Sequence, residues 1–145
     1  MPGPIDESLL MTAMLETRQQ IDFLWQFFVS VQIAVFALFL VYDEAVENLS
    51  LIARFLAFAG IALFDWINGN ALAGAYRFLD ATLDQYRFLY GQAERFRPAF
   101  HEYVVLASYA DRPDLVKITH GTALLVVFLA LVSQSFIVSR PRRGT

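Results

Sequence analysis

The sequence predicts an all-α integral membrane protein with three transmembrane helices and an amphipathic helical segment between the second and third. Three observations carry that expectation. Residues 23–42 read FLWQFFVSVQIAVFALFLVY, with no charged side chain. Residues 118–138 read ITHGTALLVVFLALVSQSFIV, uncharged apart from one histidine, His120. A third apolar run, 51–66, lies between them and holds only Arg54 and Asp65. A helix rises 1.5 Å per residue, so about 20 residues cross roughly 30 Å of hydrocarbon. The whole chain is 57% hydrophobic with 14 Phe and a mean hydropathy of +0.48. That exceeds the usual soluble make-up, so much of the apolar surface is expected to meet lipid or other helices.

Composition removes several function classes. The 145 residues allow one domain and contain no cysteine, which excludes disulfides, thiolate metal sites and cysteine nucleophiles. A net charge of −3 argues against a nucleic-acid partner. Two histidines are too few for a convincing metal or haem site built from protein ligands alone, so no cofactor is expected. The serines have no histidine and carboxylate at readable spacing, and glycine-rich phosphate loops are absent, so an enzyme is not expected.

Along the chain, Pro2, Gly3 and Pro4 form a short start, and Asp6 or Ser8 can cap a helix. The first 22 residues carry Arg18 against Asp6, Glu7, Glu16 and Asp22, unlike a basic signal peptide, so the first apolar run reads as a retained anchor. Leu10, Met14, Thr17, Ile21, Leu24 and Phe28 recur at alternating spacings of four and three. This stripe predicts one helix over about residues 7–42, with 23–42 in the membrane. Asp43, Glu44 and Glu47 lie in a short acidic connection, and the second span covers 50–67. Its small residues Ala53, Ala57 and Gly60 permit close helix approach. Trp25 and Trp66 suit one membrane interface and Tyr42 the other.

Asn68-Gly69-Asn70 is the strongest break signal and predicts a kink or short turn. An amphipathic helix is expected over 71–97. Leu72, Tyr76, Leu79, Leu83, Tyr86, Tyr90 and Ala93 form one stripe on it, and Arg77, Asp80, Asp84, Arg87 and Glu94 a second. The apolar stripe reads as a packing seam for residues 10–21, within one chain or between copies. The charged stripe reads as a solvated face with i,i+3 pairs. Pro98 ends this helix, 99–110 is expected as a short surface helix, and Asp111–Asp114 as a turn with Pro113 suited to an early helical position. The last helix is expected over 114–139, with 118–138 in the membrane.

Basic residues set the expected orientation. Arg18, Arg77, Arg87, Arg95, Arg97, Arg112 and Lys117 fall on one side, and Arg140, Arg142 and Arg143 on the other. The N-terminus and the 67–117 loop are therefore expected in the cytoplasm, with a bacterial inner membrane as the location.

Asp65, His120, Gln26, Arg54 and Gln134 are the candidate intramembrane residues. Arg54 and Asp65 are eleven residues apart, about 16 Å along a helix, and cannot pair. Their simplest roles are interfacial, with Arg54 reaching the acidic 43–47 connection. The sharper reading brings them inside the bundle. Antiparallel packing puts Asp65 level with Gln26 and His120, and Arg54 level with Ser133, Gln134 and Ser135. A carboxylate and an imidazole at one depth can relay protons or bind a cation; a structural hydrogen bond between helices explains them equally well. His101 reads as a solvated surface residue. Gln26, Gln32, Arg54, Asp65 and Gln134 all need partners, and one protomer offers few, which motivates a homo-oligomer. The leading expectation is a homo-oligomeric assembly that conducts or binds ions. The alternative is a non-catalytic accessory subunit of a larger membrane complex.

Overall fold

The computed structural model describes residues 6–41 and 48–137, with side chains through Val132. Three long helices dominate: α1 (Glu7–Val41), α2 (Leu51–Tyr90) and α3 (Arg112–Ile137). Each contains a stretch long and apolar enough to cross a membrane. No strand occurs among the described residues. Helix starts are set by short polar side chains. Asp6 accepts hydrogen bonds from the Ser8 backbone N–H and hydroxyl ahead of α1, and Ser50 Oγ accepts from the Ala53 N–H at 3.2 Å ahead of α2.

The helix α2 corrects two expectations. It runs unbroken through Asn68-Gly69-Asn70, so the second span and the amphipathic segment are one rod of 40 residues, about 60 Å long. The three turn-forming residues are occupied by helical contacts instead. Asn70 donates to the Trp66 carbonyl one turn back at 2.9 Å. Asn68 reaches across to the neighbouring helices, and a Cβ on Gly69 would lie 3.3 Å from the His120 ring. Tertiary partners thus override local turn preference. The rod also stops at Tyr90, short of residue 97. Gly91 follows, and a Cβ there would sit 2.6 Å from the Arg87 carbonyl, so only glycine fits the exit.

Residues 91–111 pack back along α2. They hold a 3₁₀ turn (Ala93–Arg95), a helical turn (Pro98–Phe100) and a π-turn (His101–Val105) in place of the expected helix over 99–110. The charged stripe of α2 holds this return. Arg87 donates to the Val105 and Ala107 carbonyls and pairs with Asp84 at 2.5 Å. Asp80 accepts from the Tyr109 backbone N–H at 2.7 Å. The stripe read as a solvated face therefore positions the start of α3.

Adjacent helices run antiparallel, with α2 in the centre. Contact positions fall on α2 as they rise on α1 (Glu7 with Tyr86, Leu24 with Asn68, Gln32 with Asp65) and on α3 (His120 with Asn68, Leu131 with Arg54). Two apolar clusters result. The larger joins Leu10, Met14 and Ile21 of α1 to Leu72, Leu79, Leu83 and Tyr86 of α2, with Tyr76 and Tyr90 at its edge and Val105 and Val116 closing it. The seam residues are thus paired within one chain. The smaller cluster gathers Val127 and Leu131 of α3 with Val35, Phe39, Phe58 and Ile61.

Candidate functional site

A polar layer lies between the two apolar clusters. It exists because the buried stripe of each helix continues through it. On α1 the stripe runs Ile21, Phe28, Gln32; on α2 it runs Asp65, Asn68, Leu72; on α3 it runs Val116, His120, Val127. Gln32, Asp65, Asn68 and His120 are all buried, at 4–6% exposure.

The layer holds two hydrogen-bonded pairs, Gln32 with Asp65 and Asn68 with His120. Gln32 Nε2 donates to Asp65 Oδ1 at 2.9 Å. Asn68 Nδ2 donates to the Leu24 carbonyl at 3.3 Å, which turns Asn68 Oδ1 toward His120 Nε2, 2.9 Å away. His120 Nδ1 lies 2.9 Å from the Val116 carbonyl on its own helix. The Phe28 ring covers the imidazole at 4.0 Å between centroids, and Trp25 approaches it at 5.9 Å while donating to Tyr76 Oη at 3.0 Å. Two acceptors remain buried without a partner: Asp65 Oδ2 and Gln32 Oε1. A buried polar atom left unpaired costs about 1–3 kcal/mol, more for a charged group, so these two mark the layer as incomplete in hydrogen bonding.

The expected residues divide clearly. Asp65 and His120 belong to the layer. Gln26 does not; it is exposed on α1. Six residues separate it from Gln32, which is about one and two-thirds turns, so the two amides point to different sides of the helix. Gln32 is the residue that meets Asp65. Arg54 is separate from the layer and donates to the Leu49 and Leu131 carbonyls at 3.2 and 3.3 Å. Its expected neighbours at 43–47, Tyr42, and the Gln134 side chain lie outside the described residues. His101 is half-buried, with Nε2 at 3.4 Å from the Gly91 carbonyl and its ring stacked on Phe96.

Asn68 was legible only as a turn signal, yet it links all three helices. A simple signal existed for Asn68 and for placing Gln32, rather than Gln26, beside Asp65. The α1 stripe extended by four from Phe28 reaches Gln32, and the Leu72 stripe extended back by four and then three reaches Asn68 and Asp65. Among the described residues, no three histidine or acidic side chains gather as a metal set. Comparison with protein families, characterised proteins and solved structures finds no match to this chain.

Proposed function

We propose that this chain is a small integral membrane protein whose Asp65–His120 layer handles protons, acting in an assembly of identical copies. One observation carries the reading: a carboxylate and an imidazole share a buried polar layer bounded on both sides by apolar clusters. Ionisable side chains at such depth are expensive to keep, and in membrane proteins they mark proton and ion pathways. The layer also reaches a cleft between α2 and α3, which gives it a lateral opening.

The homo-oligomer enters for a different reason from the one the sequence suggested. Gln32, Asp65, Asn68 and His120 each have at least one partner inside one chain, and the two oxygens left over, Asp65 Oδ2 and Gln32 Oε1, are buried within that chain, so these groups do not themselves call for a second copy. Beyond the layer, however, the Val127–Leu131 cluster closes the bundle. Conduction across the bilayer then needs a path between copies. Cytoplasmic placement of the N-terminus and of the 67–117 region belongs to the same proposal and rests on the basic residues.

The test is proton flux into liposomes holding the purified protein and a trapped pH dye. Wild type should dissipate an imposed gradient faster than empty vesicles, and Asp65→Asn should return the rate to theirs while the particle mass is unchanged. Equal rates for wild type and Asp65→Asn would sink the reading. A second reading, a non-catalytic accessory subunit, is favoured by the outer faces of the helices: Phe23, Ile33, Leu40, Ile52 and Phe55 are each more than 60% exposed and apolar. It predicts no flux and a distinct protein at fixed stoichiometry in the solubilised particle.

A further inference from the structure

The polar layer opens sideways. A cleft of about 330 Å³ lies between α2 and α3, walled by Gly69 and Gly121 and bordered by Trp66 and Lys117. Asp65 and His120 also line it. Its volume falls at the small end of ligand sites, and most of its wall is apolar.

What is missing in the layer is a donor. Asp65 Oδ2 and Gln32 Oε1 are acceptors without partners. The amides of Gln32 and Asn68 each direct one N–H elsewhere, to Asp65 Oδ1 and to the Leu24 carbonyl, the His120 ring nitrogens lie at the Val116 carbonyl and Asn68 Oδ1, and no donor among the described residues reaches either free oxygen. One of the two acceptors belongs to a carboxylate, so a cationic donor offsets charge as well as completing hydrogen bonds. An ammonium offers up to three N–H donors. Trp66, 71% exposed, adds an indole face at the cleft, to which a cation is attracted. Lys117, the cation at the rim, is drawn off by Asp114 at 2.8 Å. An anionic amphiphile would instead set its charge against Asp65.

We propose that this cleft binds a lipophilic ammonium: a protonated amine on an apolar chain, with its nitrogen at Asp65 and its chain along the Gly69–Gly121 wall. The proposal rests on membrane placement of the helices and is independent of proton flux. The same chemistry has two sources, a free long-chain amine and an aminophospholipid headgroup.

Decylamine, decanol and decanoate are titrated by calorimetry into the full chain in neutral detergent micelles. Decylamine should bind saturably and at least about tenfold more tightly than either comparator. Asp65→Asn should weaken it by about tenfold or more. Gly121→Leu should abolish it by filling the cleft; a Cβ at Gly121 meets nothing within 4 Å, so the bundle has room for the change. Circular dichroism reports folding of both variants; if Asp65→Asn does not fold, Gly121→Leu and the comparators decide. Equal binding of decanoate, no binding of decylamine, or full decylamine affinity in folded Gly121→Leu would each overturn the proposal. A parallel arm uses native mass spectrometry after nanodiscs of phosphatidylethanolamine or phosphatidylcholine. Retention of the ethanolamine lipid alone, lost in Gly121→Leu, assigns the lipid source; decylamine binding without retained lipid assigns a free amine. Liposome flux is read separately, so amine binding without flux, and flux without amine binding, tell the two proposals apart.

Discussion

Asn68→Leu is the most informative single change in the bundle. Leucine is similar in size and is the better helix former by up to about 0.5 kcal/mol, so local preference alone predicts stabilisation. The tertiary contacts predict the opposite. Asn68 is 4% exposed, donates to the Leu24 carbonyl at 3.3 Å and faces His120 Nε2 at 2.9 Å. Two hydrogen bonds are lost, each contributing about 0.5–1.5 kcal/mol. His120 Nε2 is left in a buried, apolar setting, at about 1–3 kcal/mol. Interhelical hydrogen bonds within a bilayer average nearer 0.6 kcal/mol, which sets the lower limit for each. The net expectation is destabilisation by about 2–5 kcal/mol, several times the propensity gain. Asn70→Leu is the control, because among the described residues Asn70 bonds only to the Trp66 carbonyl within its own helix, at an exposed position. It should shift stability by less than about 0.5 kcal/mol. The assay is reversible unfolding in mixed micelles with increasing dodecyl sulfate, followed by tryptophan fluorescence and by circular dichroism. Equal unfolding midpoints for Asn68→Leu and Asn70→Leu would refute the three-helix role of Asn68.

Three further outcomes are expected. Leu79→Asp and Leu83→Asp, each at a position 3% exposed, should cost several kcal/mol and release residues 91–111 to protease, whereas Phe78→Asp, at a position 56% exposed, should not. Arg87→Lys keeps the charge but loses the fork on the Val105 and Ala107 carbonyls, and Asp80→Asn weakens the acceptor for Tyr109; both should speed proteolysis between 91 and 111, where a solvated charged stripe would predict no change. Hydrogen bonds from Ser8 hold the Asp6 carboxyl below its ordinary 3.8; because the folded value is depressed, its contribution is present above pH 3.8 and lost as the pH falls below it. The Ser8 amide resonance should therefore titrate with a midpoint below 3.8, and Asp6→Asn should remove the step.

Much of the architecture could be read from order along the chain. Helical periodicity and the absence of charge over 23–42 and 118–138 are local properties, and they suffice to anticipate long apolar helices. The apolar seam of Leu72, Leu79, Leu83 and Tyr86 against Leu10, Met14 and Ile21 was legible for the same reason, since a face that repeats every three and four residues must be covered by another. Asp65 and His120 were legible as a pair because antiparallel helices of known rise bring predictable depths together.

Depth carries no information on rotation about a helix axis; the apolar stripe through Phe28 does carry it, and packing realises it. Gln26 and Gln32 are equally polar residues of one apolar run, yet Gln32 faces Asp65 and Gln26 faces outward. The same holds for Asn68-Gly69-Asn70, whose turn preference of a few tenths to one kcal/mol per residue yields to hydrogen bonds and close contacts with two other helices. Asp80 and Arg87 have the composition of a solvated stripe, and only the return of residues 91–111 along α2 turns them into anchors for backbone groups. Sequence order determined which segments are helical and apolar, because those preferences act within a few residues. The tertiary structure decided which polar side chains meet, because a buried polar group is stabilised only by a partner that the chain brings from far away.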